Sequence, residues 1–219
     1  MKISALPLAV LLLLGAAPLG DPTTAAGLKD ALRVATERAV ASTSKTNGFL
    51  DNPTIRIPLP GALGSMSTAL RGIGMGAQVD ELEVAMNHAA SKAAGVATPV
   101  FVDAISKMSF SDATGIVKGG DTAATQYFQK TTTAPLRTKF SPIVGDSMKE
   151  VGVTKLYDQL VGQYTSAIPF ASAPKLDLNG YVTDKTLAGL FSVVGDEEKK
   201  IRTDPAARAT DLLKQVFGR

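Results

Sequence analysis

His88 is the only imidazole in this 219-residue chain, and there is no cysteine. Metal centres draw on several His, Cys or carboxylate ligands, and a catalytic triad needs a base beside a nucleophile. Asp80 and Glu81 fall about two helical turns before His88, and Glu83 misses the four-residue offset that would bring it alongside. His88 therefore reads as a surface or hydrogen-bonded helix histidine. The sequence holds no HExxH, no GxSxG and no phosphate loop. No metal, no cofactor and no catalytic residue is expected from motifs.

The most suggestive short element is Lys118-Gly119-Gly120-Asp121-Thr122. A double glycine frees the backbone, and the helix start that follows presents unpaired amides able to hold an anion. Asp121 would repel such a ligand, and if its carboxylate caps the amides near Ala123 or Ala124 the site is already filled. Gly119, Gly120, Asp121 and Thr122 are thus ligand or partner candidates, with Tyr127 and Phe128 in the next turn as core or groove residues. Acid pairs are available in Asp80, Glu81 and Glu83 and in Asp196, Glu197 and Glu198. Consecutive acids splay around a helix, and both clusters read as solvated faces. A hydrolase with carboxylates meeting only in three dimensions, near Asp121, is the alternative reading. With no Trp and 5% aromatic residues, carbohydrate platforms and nucleic-acid stacking are both poorly supplied.

A second candidate surface is the segment Pro53 to Pro60. Its prolines exclude a helix, and Ile55, Ile57 and Leu59 project to one side of an extended chain while Thr54, Arg56 and Pro58 face the other. Packed across helices the segment is core; exposed, Ile55, Arg56 and Ile57 could accept a strand or peptide.

These residues sit among helices. Leu28, Ala31, Leu32, Ala35, Ala39 and Val40 recur at three- and four-residue spacing and predict an amphipathic helix from Gly27 to Ser44, stopped by Thr46-Asn47-Gly48. Further helices are expected from about Pro60 to Ile73, over Gln78 to Ala94, and from Thr98-Pro99 to Met108. A short one capped by Ser109 or Ser111 should stop at Gly119-Gly120, and another should run from Asp121 or Thr122 to Lys130. The second half predicts Ala134 to Val151, kinked near Pro142, then Thr154 to Tyr164. A Pro-containing loop over Ile168 to Leu176 precedes a long helix started by Asp177 or Thr183, and Asp204-Pro205 opens a last one to Phe217. There is no strand-helix alternation and no fixed repeat. The expected fold is mainly α: a single compact domain of about eight to ten helices with one Pro-rich extended segment.

Met1-Lys2 and the apolar run Ile3 to Ala17 have the anatomy of a signal peptide. Pro7, Gly15, Pro18 and Gly20 interrupt or close the run before it reaches the length of a membrane span. Cleavage is expected after Ala17, Ala25 or Ala26, so residues 1–25 are read as the signal and 26–219 as the domain. Without cysteine there is no lipobox, no disulfide and no thiolate site, and the core alone must hold the fold. About 195 residues suffice for that. Removing Lys2 leaves 22 basic against 20 acidic residues, a balance that argues against nucleic-acid binding.

Asn52-Pro53 to Pro60, Phe101-Val102-Asp103-Ala104-Ile105, Gly119-Gly120-Asp121-Thr122-Ala123-Ala124-Thr125 with Tyr127-Phe128, Val151 to Lys155, and Glu197 to Arg202 with Pro205-Ala206-Ala207-Arg208 follow one another along the chain. Together they resemble the bacterial domain-of-unknown-function family DUF4197, from about Gly27 to Phe217. The resemblance implies an exported helical protein of Gram-negative bacteria and carries no activity or site residues with it. The expectation is a periplasmic or secreted protein, not integrally anchored, that is non-enzymatic and binds an unknown protein partner or an apolar ligand between its helices. An interhelical cavity lined by Met66, Leu70, Met86, Phe101 and Phe128 would favour the ligand. Peripheral membrane association through the Gly27 to Ser44 helix is a further alternative.

Overall fold

The computed structural model describes residues 22–168 and 176–204. Those residues form eight α-helices: α1 (Pro22–Thr43), α2 (Gly64–Gly72), α3 (Gly76–Ala94), α4 (Thr98–Lys107), α5 (Phe110–Lys118), α6 (Ala123–Glu150), α7 (Val153–Ala167) and α8 (Leu178–Thr203). One 3-10 turn, Gly61–Leu63, leads into α2. The fold is all-α, and the apolar interior is essentially one continuous cluster.

The six spaced residues of α1, from Leu28 to Val40, are all buried. That apolar face lies against α8, α4 and α5, which leaves none of it for a bilayer. Outward, Arg33 bonds both Asp30 and Glu37, and Arg38 approaches Glu197. The helix begins at Pro22, ahead of the expected mature start at residue 26, and Ala25 already packs on the core. The apolar run 1–21 of the signal-peptide reading lies outside the described residues, as do the loop 169–175 and the last helix expected after Asp204. No helix of the described residues is long and apolar enough to cross a membrane.

α6 differs from its expectation. The sequence suggests a short helix to Lys130 and a second from Ala134, but one helix of 28 residues runs through both Pro135 and Pro142. The prolines are seven residues apart and exposed, so each missing N–H falls on the solvent side, where the lost bond costs least. The buried side is Phe128, Thr132, Leu136, Phe140, Val144 and Met148. A strict four-residue spacing advances about 40° past each full turn. The stripe therefore winds around α6, which packs on α8, α3, α4, α5 and α7. α3 and α8 complete the centre, and the alanines Ala85, Ala89, Ala90, Ala93 and Ala94 leave α3 slender enough for close contact.

Helix ends follow local chemistry with two corrections. Gly48 does not stop α1 by a left-handed turn, since the positive-φ glycines of the described residues are Gly74 and Gly152. A Cβ at Gly48 would instead stand 2.2 Å from the Thr43 carbonyl oxygen, so the backbone folds back where only glycine fits. Ser109, not Ser111, caps α5: its hydroxyl accepts from the Asp112 amide at 3.1 Å while the Ser109 amide donates to the Asp112 carboxylate at 3.0 Å.

Ser109→Ala should cost about 1 kcal/mol, read as a lower urea midpoint with an unchanged slope. The Ser109 hydroxyl and amide hold the Asp112 carboxyl below its usual value of 3.8, and Arg71 does the same for Asp80. Both folded values are depressed, so both contributions are complete above that pH and are lost as pH falls through the folded values. Acid titration of Ser109→Ala should show the Asp112 share reduced, since the hydroxyl is lost while the backbone amide at 109 still donates.

Candidate functional site

The double-glycine element lies between α5 and α6, and its anion site is occupied from a distance. Gly119 ends α5 in extended backbone, and a Cβ there would sit 2.5 Å from that of Ala123. The open amides at the start of α6 point at Glu198 of α8. One carboxylate oxygen accepts from the Ala124 amide at 2.9 Å; the other accepts from the Thr125 amide at 2.9 Å and its hydroxyl at 2.8 Å. Arg202, one turn further along α8, donates through Nε and Nη2 to Glu198 and through Nη2 to the Ile116 carbonyl at 2.9 Å. Charges thus alternate from the carbonyl end of α5 through Arg202 and Glu198 to the amide end of α6, each facing the helix pole that favours it.

Asp121 makes no cap and is exposed, and Thr122 accepts from the Gln126 side chain at 3.2 Å. Glu198, read from sequence as part of a solvated run, is 4% exposed. The missed signal is its register: Val194, Glu198 and Ile201 follow the apolar stripe at spacings of four and three. Outside this clamp, Asp121, Thr122 and Asp196 line an open cleft of about 510 Å³ between α6 and α8, with Ser192 and Lys199. It brings two carboxylates to one concavity.

The Pro53–Pro60 segment is held to the body. Ile55 and Ile57 are buried, Leu59 is half-buried, and Thr54, Arg56 and Pro58 are exposed, but residues 53–55 form a turn in which the Ile55 and Arg56 amides donate to the Asn52 carbonyl, so the expected extended path is confined to residues 56–60. Asn87, fully buried on α3, stands where a neighbouring strand would. Its carbonyl accepts the Ile57 amide at 2.8 Å, and its amide donates to the Ile57 carbonyl at 2.8 Å and to that of Glu83 at 2.8 Å. Arg56 pairs with Glu83 at 2.7 Å, and Tyr181 donates to the Pro58 carbonyl at 2.9 Å. Just upstream, Ser91 receives the Phe49 amide at 3.2 Å, and His88 bonds the Asn47 side chain at 2.9 Å. Gly189 in α8 clears room for the Phe49 ring, which a Cβ would meet at 2.6 Å. Ile55 and Ile57 are therefore core, and the backbone of Ile57 has both its groups engaged.

The residues named for an apolar cavity, Met66, Leu70, Met86, Phe101 and Phe128, are each no more than 2% exposed. Phe101 meets Phe128 edge-on at 5.2 Å and Phe191 at 6.3 Å, so this part of the interior is filled by its own rings. Tyr127 parts company with Phe128. Its hydroxyl donates to the Ala104 carbonyl at 3.1 Å, and burial, with Asp112 adding to it, pushes the phenol up. Its ring forms part of a cleft of about 760 Å³ between α4 and α6. Pro99, Val100, Asp103, Ala104 and Lys107 form one wall, and Thr131, Thr132, Pro135 and Lys139 the other. Among the described residues no group of three His, Asp or Glu side chains is placed to hold a metal.

The model of a protein family of unknown function, DUF4197, matches residues 18–218. The chain belongs to the DUF4197 family. No curated protein and no solved structure matches it. Within this DUF4197 domain, sequence blocks that carry the resemblance meet in space. Gly119 to Thr125 supplies the amides that Glu198 and Arg202, from the block Glu197 to Arg202, close over. Phe101 to Ile105 and Tyr127-Phe128 meet across α4 and α6, where Phe101 and Phe128 pack in the core and Tyr127 lines the cleft.

Proposed function

We propose that this DUF4197 protein is exported to the bacterial envelope and acts there without catalysis, holding a partner protein in the cleft between α4 and α6. The observation that carries the reading is the contrast between that cleft and the interior around it. Of the residues expected to line an internal ligand cavity, Phe101 and Phe128 pack on one another and Met66, Leu70 and Met86 are no more than 2% exposed, whereas the α4–α6 cleft stays open to the surface. Export is supported by Met1-Lys2 and the apolar run that follows.

Two measurements test it. Native cells should release the protein with the periplasmic fraction, its first residue lying between Pro18 and Gly27 by mass spectrometry; an intact Met1 in the cytosol contradicts export. Purified from that envelope, the protein should carry a constant protein partner that Thr131→Arg, which fills the cleft from its exposed rim, no longer retains. An empty monomer contradicts the binding reading.

A second reading, hydrolysis, is favoured by one observation: Asp121 and Asp196 share a cleft with Ser192 and Lys199. It requires turnover of an ester, peptide or glycoside that Asp121→Asn abolishes.

A further inference from the structure

We infer that the partner presents an extended acidic peptide segment to the α4–α6 cleft, an inference that rests on the reading of that cleft as the partner site. The cleft is a trough rather than a closed pocket. Its α4 wall from Pro99 to Lys107 rises about 12 Å and its α6 wall from Tyr127 to Lys139 about 18 Å at the helical rise per residue. Four or five residues of extended chain, at about 3.3 Å each, span it. An extended peptide can enter such a trough and leave at both ends, with alternate side chains turned inward.

Charge selects the sign of the ligand. Asp103 and Lys107 on the α4 wall neutralise one another at 2.8 Å. Lys139 on the opposite wall is exposed and makes no ion pair among the described residues. The trough therefore offers one uncompensated cation opposite a wall that includes Val100 and Ala104, both 8% exposed. That is the complement of a segment with an acidic side chain beside small apolar ones.

Backbone chemistry selects a peptide over a fatty acid. Pro135 has no N–H, so the Thr131 carbonyl lacks the donor that a helix ordinarily supplies from four residues on. Both residues line the trough. A peptide N–H can donate to that carbonyl, whereas a fatty acid brings a carboxylate but no donor. The α6 wall thus pairs an acceptor for a main-chain amide with a cation for an acidic side chain, two turns apart.

The test is an NMR titration of the mature protein with three probes: an alternating Glu-Val hexapeptide, an alternating Lys-Val hexapeptide, and dodecanoate. The Glu-Val peptide should shift amides of α4 and α6 with an affinity at least tenfold above that of the Lys-Val peptide. Lys139→Glu, at an exposed position, should keep the native circular dichroism spectrum and reverse the order. Pro135→Ala, which returns a donor to Thr131, should weaken the Glu-Val peptide severalfold without changing the charge preference. Equal affinity for the two peptides, or indifference to Lys139→Glu, overturns the inference. If dodecanoate alone binds the cleft while the envelope partner still depends on it, the acidic-peptide inference falls and the cleft reading stands. If neither peptide nor dodecanoate binds and the partner ignores Thr131→Arg, both fall.

Discussion

Glu198→Ala is expected to lower the unfolding free energy by about 3–5 kcal/mol, the range for removing one partner of a buried ion pair. The carboxylate accepts from two amides, one hydroxyl and two guanidinium nitrogens, and its loss takes the shared acceptor from the α6 amides and the Thr125 hydroxyl where water has little access. Arg202, with its side chain 11% exposed, would lose both of its donations to Glu198 and keep that to the Ile116 carbonyl. Domains of this size are stable by roughly 5–15 kcal/mol, so the variant should unfold at a much lower urea concentration. Glu198→Gln keeps one of the two acceptor oxygens. Set at the Oε1 position it still accepts from the Ala124 amide and Arg202, but its NH2 group then faces the Thr125 amide and hydroxyl and cannot accept from them, and the loss should be intermediate. Equal, small losses for both variants would show that the clamp is not what joins α5, α6 and α8.

Asn87→Ala should cost about 2–6 kcal/mol, because the Ile57 amide and carbonyl would both lose their partner in the core at about 1–3 kcal/mol per unsatisfied group. The effect should be local before it is global. Hydrogen exchange at Ile57 should accelerate toward that of open chain, while amides in the middle of α6 stay protected until the whole domain unfolds. Asn87→Asp keeps an acceptor for the Ile57 amide but removes the donor to its carbonyl, placing a buried charge against that oxygen. It should be no better tolerated than alanine. Retained protection at Ile57 in Asn87→Ala would mean that the burial of Ile55 and Ile57 alone holds the segment.

Periodicity in the sequence locates most of the helices, since each buries one stripe: the inner residues of α1 and the Val79, Leu82 and Met86 face of α3 are where spacing puts them. Local signals fail where a distant residue takes over a local task. Nothing near Thr122 announces that its helix start is capped from α8, so the acids of residues 196–198 read as solvated although one falls in the apolar register. Asn87 is opaque for the same reason: standing in for a strand partner, it needs knowledge of where Ile57 runs. The break expected between Lys130 and Ala134 fails in the other direction. The helix continues through Pro135 and Pro142 because both are exposed, and Thr131 and Pro135 line the cleft. Of the candidates drawn from sequence, Phe128, Ile55 and Ile57 are buried, Tyr127 lines the larger cleft, and Asp121 and Thr122 line the smaller one. The larger cleft itself is not legible in sequence, because its walls come from two helices, α4 and α6, with all of α5 between them.

The most direct test of a partner held between α4 and α6 is a photo-crosslinking amino acid placed at Thr131, inside the cleft, and separately at Gly162, an exposed residue of α7 that does not line it. Irradiated in intact cells, the Thr131 protein should yield one discrete adduct with a second protein, its peptide attached through an acidic extended segment, and Lys139→Glu should remove it. An adduct that forms equally from Gly162, or none from Thr131 in the compartment where the protein resides, would contradict the account.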